Sequence, residues 1–221
     1  MYKRQVVIAP GFTGSNLLYV GAAYSTRGEA AQCNRVGLFS VRNLETFEIA
    51  SVTTSSSSYV DMLPEFQDGF AMDFIRAYHF NNYVYFFFRR STSLGSGDIS
   101  SHVLRICTDD GRMHSVVELL LECSVNGVVY PYLRDITVTD FDPPLKVSDD
   151  NSITGSTLVG TFTVNADDTG NSALCFYQMT GPSGVEVGFQ SVIQNCFSGN
   201  GEKGPEYIAT RETCIQTVSC F

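Results

Sequence analysis

Short runs of β-branched and aromatic residues, broken by turn-forming clusters, recur along the whole chain, and the spacing of an amphipathic helix is almost absent. The pattern predicts an all-β fold. Asp110-Gly111 separates the run His102–Cys107 from Ser115–Leu121, and Asn126-Gly127 separates Glu122–Val125 from Val128–Tyr130. Both dipeptides tolerate the positive φ angles of two-residue hairpin turns, so each predicts a tight antiparallel connection. Asp142-Pro143-Pro144 and Gly181-Pro182 read as further breaks, since proline gives no amide hydrogen to a sheet ladder. One helix is expected, over Val185–Phe197, where Val185, Phe189, Val192 and Ile193 fall on one face.

A longer period overlies this pattern. Asn16–Tyr24, Asn82–Phe88 and Ser156–Thr163 are apolar runs, each followed by a polar stretch and a second run, Val36–Arg42, His102–Cys107 and Ser172–Tyr177. The first runs begin 66 and 74 positions apart. A hairpin recurring about every 70 residues, with room for further strands between copies, is how a four-stranded propeller blade looks when written linearly. A two-sheet sandwich of short strands produces the same picture, and the pattern alone leaves both open. The serine-rich stretch Ser51–Ser58 reads as a surface loop, because strand-like sequence continues on both sides of it.

Composition narrows the function classes. With 43% hydrophobic and 17% charged residues over 221 positions, the chain is that of a folded domain. Its net charge of −9 argues against phosphate neutralisation, so no nucleic-acid partner is expected, and Arg89-Arg90 reads as the polar end of a strand. No apolar run reaches the roughly 18 residues of a membrane-spanning helix, and Met1–Pro10 is too poor in apolar residues for a secretory leader. Membrane attachment and targeting are therefore expected only from segments beyond this sequence.

The seven cysteines, Cys33, Cys107, Cys123, Cys175, Cys196, Cys214 and Cys220, include no C-x-x-C pair, and the three histidines His79, His102 and His114 give no zinc spacing. Six of the cysteines fall in the last 115 positions, which reads as a disulfide framework in an oxidising compartment with one cysteine left over. No Asn-x-Ser/Thr acceptor accompanies it. Other chemical motifs weaken on inspection. Gly199–Gly204 matches G-x-G-x-x-G but is followed by Pro205 rather than by a helix, and no strained serine elbow occurs. His102 and His114 flank one hairpin and are expected at its solvated strand ends. Asp109-Asp110, Asp140 and Asp142, Asp149-Asp150 and Asp167-Asp168 sit at turn signals without calcium-loop spacing. No catalytic, cofactor-binding or metal-binding residue is expected.

An ordered series of segments then carries a resemblance. Ser58–Asp68 followed by Phe80–Phe86, Arg105–Cys107 with Val116–Cys123, Leu158–Phe162 with Ser172–Phe176, the closing Cys196, Cys214 and Cys220, and the earlier Leu18–Gly21 and Ser40–Leu44 together resemble the sema domain of plexins and of the hepatocyte growth factor receptor group. The resemblance implies a seven-bladed β-propeller of which this chain is a part, about three blades at residues 16–80, 81–155 and 156–221. It implies disulfides joining Cys107 to Cys220, Cys123 to Cys175 and Cys196 to Cys214, with Cys33 bonded upstream. It also implies a non-enzymatic, extracellular ligand-binding head of a plasma-membrane receptor, engaging a semaphorin-like or growth-factor-like protein without a cofactor. A homodimer is compatible with this reading; a semaphorin-type ligand and an adhesion propeller without a signalling role are its alternatives. Bare blade edges predict poor solubility for such a part on its own.

Overall fold

A computed structural model describes residues 4–23, 37–51, 57–146, 152–167, 170–198 and 205–208. Cys33, Cys214, Cys220 and the Gly199–Gly204 motif lie outside the described residues. The first sheet contains β1 (Arg4–Pro10), β2 (Asn16–Ala22), β3 (Phe39–Asn43) and β4 (Tyr59–Val60), and the second β5 (Met72–Phe80), β6 (Tyr83–Ser91), β7 (Ile99–Cys107) and β8 (Val117–Leu120). A small hairpin of β9 (Ser124–Val125) and β10 (Val128–Val129) leads to the third sheet, β11 (Tyr132–Lys146), β12 (Ser152–Thr163) and β13 (Ser172–Gln178). Helix α1 (Val185–Phe197) follows, over the span the sequence predicts. Within each sheet, neighbours in space are neighbours in sequence and pair antiparallel.

The arrangement of the sheets follows from one strand. Successive side chains of a β-strand point to opposite faces, so the unbroken apolar run of β6 needs cover on both. Val84, Phe86 and Phe88 enter one core with Leu17, Tyr19, Phe39 and Val41 of the first sheet. Tyr85 and Phe87 enter a second core with Leu133, Ile136, Leu158 and Phe162 of the third. β7 divides likewise, with Leu104 and Ile106 in the first core and Val103 in the second. The second sheet is thus buried between two others. A two-sheet sandwich leaves one face of every sheet to solvent, whereas blades of a propeller stack in this way.

The stack is a fan. The opening strands β1, β5 and β11 are successive neighbours along one edge, while the far edge is filled by other elements. Helix α1 packs against β8 between the second and third sheets. Phe66, Phe70 and Tyr207 extend the core between the first and second, with the Phe70 and Tyr207 rings 5.4 Å apart. Wedge-shaped gaps of this kind open wherever flat sheets radiate from a shared edge, and apolar cover must close them.

The hairpins β2–β3, β6–β7 and β12–β13 coincide with the three repeated pairs of runs. Each sheet, however, opens one strand earlier than the repeat does, at Arg4, Met72 and Tyr132. The reason is burial: the repeat registers apolar runs, of which β2, β3, β6, β7 and β12 occupy the middle of their sheets and β13 an edge, whereas β1, β5 and β11 alternate with exposed residues. The break expected at Asp142-Pro143-Pro144 does not end its strand. β11 runs through the prolines with a register shift between Phe141 and Leu145, a bulge that leaves the ladder without needing the missing amide hydrogens.

Candidate functional site

His102 is not at a solvated strand end. Its position on β7 places it on the same face as Leu104 and Ile106, so its ring is buried and stacks on Phe88 at 5.9 Å. Burial of an imidazole demands partners. Nε2 lies 2.7 Å from Ser100 Oγ, and Nδ1 lies 2.5 Å from Glu118 Oε1, off the line of an ideal hydrogen bond. The same carboxylate oxygen accepts from Arg90 Nε at 2.6 Å, and Oε2 accepts from the Tyr207 hydroxyl. Arg90 lies over the Tyr207 and Phe70 rings at 5.3 and 5.8 Å. Burial alone would raise the Glu118 carboxyl, but the hydrogen bond and charge of His102, then the charge of Arg90 and the Tyr207 hydroxyl, hold it below the usual carboxylate range. Glu118 therefore stays ionised although its side chain is only 6% exposed. Ser100, His102 and Glu118 stand in hydroxyl–imidazole–carboxylate order, but the carboxylate is shared with Arg90 and Tyr207 and works as the hub of a core network.

A second hub faces the third sheet. Glu186, in the first turn of α1, accepts from the Tyr85 hydroxyl and from Arg105 Nη1. The Arg105 guanidinium is held between the Tyr83 and Phe189 rings, 4.1 and 4.5 Å from their centroids. Desolvation first, then the hydrogen bond and charge of Glu186, push the Tyr85 phenol far above its ordinary range, so it remains a donor. Both hubs rest on residues the sequence reading missed. The signal was present: Glu118 interrupts the apolar run Val116–Leu121, and Arg105 interrupts His102–Cys107, where an unpaired charge would be prohibitive.

Between the outer edges of the second and third sheets lies an open groove of about 640 Å³, lined by residues of β8, β9, β12, β13 and the start of α1. Its exposed apolar members include Leu120 at 56% and Leu174 at 50%. Val125 also lines it, and the adjoining β9–β10 hairpin presents Val128 and Val129 to solvent. One disulfide frames the groove. Cys123, just before β9, is bonded to Cys175 in the middle of β13, fixing the hairpin against the third sheet. Cys107 and Cys196 are also held in disulfides. Of the paired aspartates, Asp110 does turn work: Oδ1 accepts from the Arg112 amide and Oδ2 from the Ser115 amide. Asp140 lies within β11, where it accepts from the Ser156 hydroxyl. Among the described residues, no three His, Cys, Asp or Glu side chains converge as a metal site.

No protein-family model matches the chain. Solved structures do. Plexin A4, in the structure of its full extracellular region comprising domains 1 to 8, superposes on 92% of this chain with a TM-score of 0.70 at 17% sequence identity. The chain has a sema-type propeller fold. A second crystal form of plexin A4, covering domains 1 to 10, gives the same TM-score and identity over the same share of this chain. Drosophila Semaphorin 2a aligns over 87% of it at 14% identity, with a TM-score of 0.49. The chain spans 24% and 19% of the two plexin A4 chains and 29% of the semaphorin. The stacked antiparallel sheets fit part of such a propeller, and the groove lies at their outer edges.

Proposed function

We propose that this chain is part of the extracellular ligand-binding propeller of a cell-surface receptor, and that its partner is a protein of the semaphorin class. The observation carrying the proposal is the second sheet buried on both faces, in a stack that superposes on the extracellular region of plexin A4. A rigid fan suits recognition, because variable loops and rim residues are held on a fixed scaffold while the core does no chemistry. The buried charges serve that rigidity. The exposed apolar residues around the groove, Leu120, Val125 and Leu174, offer the desolvation from which a protein interface gains most of its affinity. Cys107–Cys220 and Cys196–Cys214 complete the proposed framework beside Cys123–Cys175.

The test is direct binding. The chain is secreted from eukaryotic cells, immobilised, and exposed to a panel of semaphorin extracellular regions. Saturable binding is expected for at least one of them, weakened about tenfold or more by Leu174→Asp, the scale of a single interface hot spot. A chain that unfolds cooperatively yet binds no semaphorin saturably would end this reading.

A further inference from the structure

The first two sheets end on short outer strands, β4 of two residues and β8 of four, whereas the third ends on β13, a strand of seven. Hydrogen bonds fix which backbone groups of β13 face outward. The Met179 amide donates to the Ser156 carbonyl at 2.9 Å and the Val164 amide to the Asn171 carbonyl at 3.2 Å, with an unshifted register between them. Ala173, Cys175 and Tyr177 therefore bond to β12, and the amides and carbonyls of Leu174, Phe176 and Gln178 point away from it. Among the described residues no strand pairs with that side. The disulfide to Cys123 uses a side chain on the inner face of the sheet and no backbone group of the edge. Sheet edges are ordinarily blunted by charge, proline, a bulge or shortness, and Ser172–Gln178 has none of these. The groove follows this edge: Leu174 through Gln178 line it without a gap, as do Leu119 through Leu121 at the end of β8. A strand presents only alternate side chains to a cavity over its face, so consecutive lining marks an edge.

We propose that this edge binds an extended, uncharged segment of a protein partner, which pairs with β13 as a fourth strand of the third sheet. The backbone selects the conformation, since outward amides and carbonyls on every second residue are matched in spacing by another strand. From Leu174 to Gln178 they span roughly 14 Å at about 3.4 Å per residue, so a segment of about five residues is long enough. The side chains select the composition. Leu120, Val125 and Leu174 offer apolar contact along the groove. None of the described residues that line it is charged, so a charged side chain buried there would go unpaired. Alternating apolar and hydroxyl residues meet both demands. The inference rests on reading the groove as a surface for a protein partner, and its test separates the two.

Hydrogen exchange of the full chain, alone and with end-blocked heptapeptides Thr-X-Thr-X-Thr-X-Thr in which X is Val, Leu or Phe, tests it. In the free chain the Leu174, Phe176 and Gln178 amides are expected to exchange fast and those of Cys175 and Tyr177 slowly. At saturation with at least one peptide the first three should slow by about tenfold or more, the scale of a hydrogen bond made where none existed. Methylating the amide nitrogens of alternate peptide residues removes the donors of one peptide edge. One of the two alternating sets should weaken binding by about tenfold or more and the other should leave it unchanged. Outward amides already slow in the free monomer, no saturable peptide binding, or equal loss with both methylated sets would overturn the proposal. Protection that rises with chain concentration in the absence of peptide would assign the edge to a second copy and overturn it too. A semaphorin that binds while the three amides stay unprotected would leave the receptor reading standing without this one, and peptide capture by a chain that binds no semaphorin would do the reverse.

Discussion

A carboxylate buried among aromatic rings is costly unless its charge is met, and at Glu118 it is met by Arg90, His102 and Tyr207 together. Because its folded-state pKa is depressed, the stability it contributes is complete above the ordinary carboxyl value of 4.5 and is lost as pH falls through the lower folded value. Unfolding free energies of the chain and of Glu118→Gln, measured from about pH 7 to about pH 3, should therefore converge on acidification. At neutral pH the gap is expected to be about 3 kcal/mol, the scale of breaking a buried pair. A gap that is constant across the range would show that the carboxylate is not the titrating hub. The bidentate pair of Arg76 with Asp135, 45% and 56% exposed, is the counterexample. It joins β5 to β11, but in water its worth falls to about 1 kcal/mol or less.

Elements respond to local chemistry more than to charge. The β9–β10 hairpin turns at Asn126 and Gly127, whose φ angles are 52° and 78°, the left-handed pair that the dipeptide predicts. A Cβ at Gly127 would meet nothing within 4 Å, so Gly127→Ala isolates the backbone term. A loss of about 1 kcal/mol is expected in denaturant unfolding, because an L-residue in that region is strained. An unchanged midpoint would mean that the hairpin adds nothing to the fold. These elements were legible because turn dipeptides and helical spacing act over a few residues; α1 is the clearest instance, with Phe189 buried on the face read from the sequence. The prolines of β11 were misleading for the opposite reason. A bulge, decided by the pairing of two distant segments, absorbs them.

At the scale of the whole molecule, three sheets and two wedge fillers form one unit, and the disulfide Cys123–Cys175 ties it across the rim. Cys123 and Cys175 are 52 positions apart, and closing a loop of that size stabilises by about 4 kcal/mol in the chain-entropy model. The double variant Cys123→Ala/Cys175→Ala should lower the unfolding free energy by roughly that amount in equilibrium denaturation. Mass mapping under non-reducing conditions should recover the Cys123–Cys175 peptide pair from the unmodified chain. Its absence from secreted, folded material would remove the covalent frame of the groove. The outward face of the first sheet leaves Val6 and Ile8 exposed, the kind of surface on which a further blade or another protein gains by packing.

By itself the sequence determined that the chain is made of strands, where the Asn126-Gly127 turn and the helix lie, and which hairpins repeat, because these follow from period and turn chemistry within a few residues; the tight turn expected at Asp110-Gly111 is instead a longer loop between Cys107 and Val117. It also marked Asn82–Phe88 within β6 as an apolar run. Only the tertiary structure decided that three sheets stack as a fan rather than a sandwich, that His102 is buried, and that Glu118 meets Tyr207 from 89 positions away. Those outcomes depend on which distant surfaces cover one another, and the free energy of that covering is not written in any local pattern.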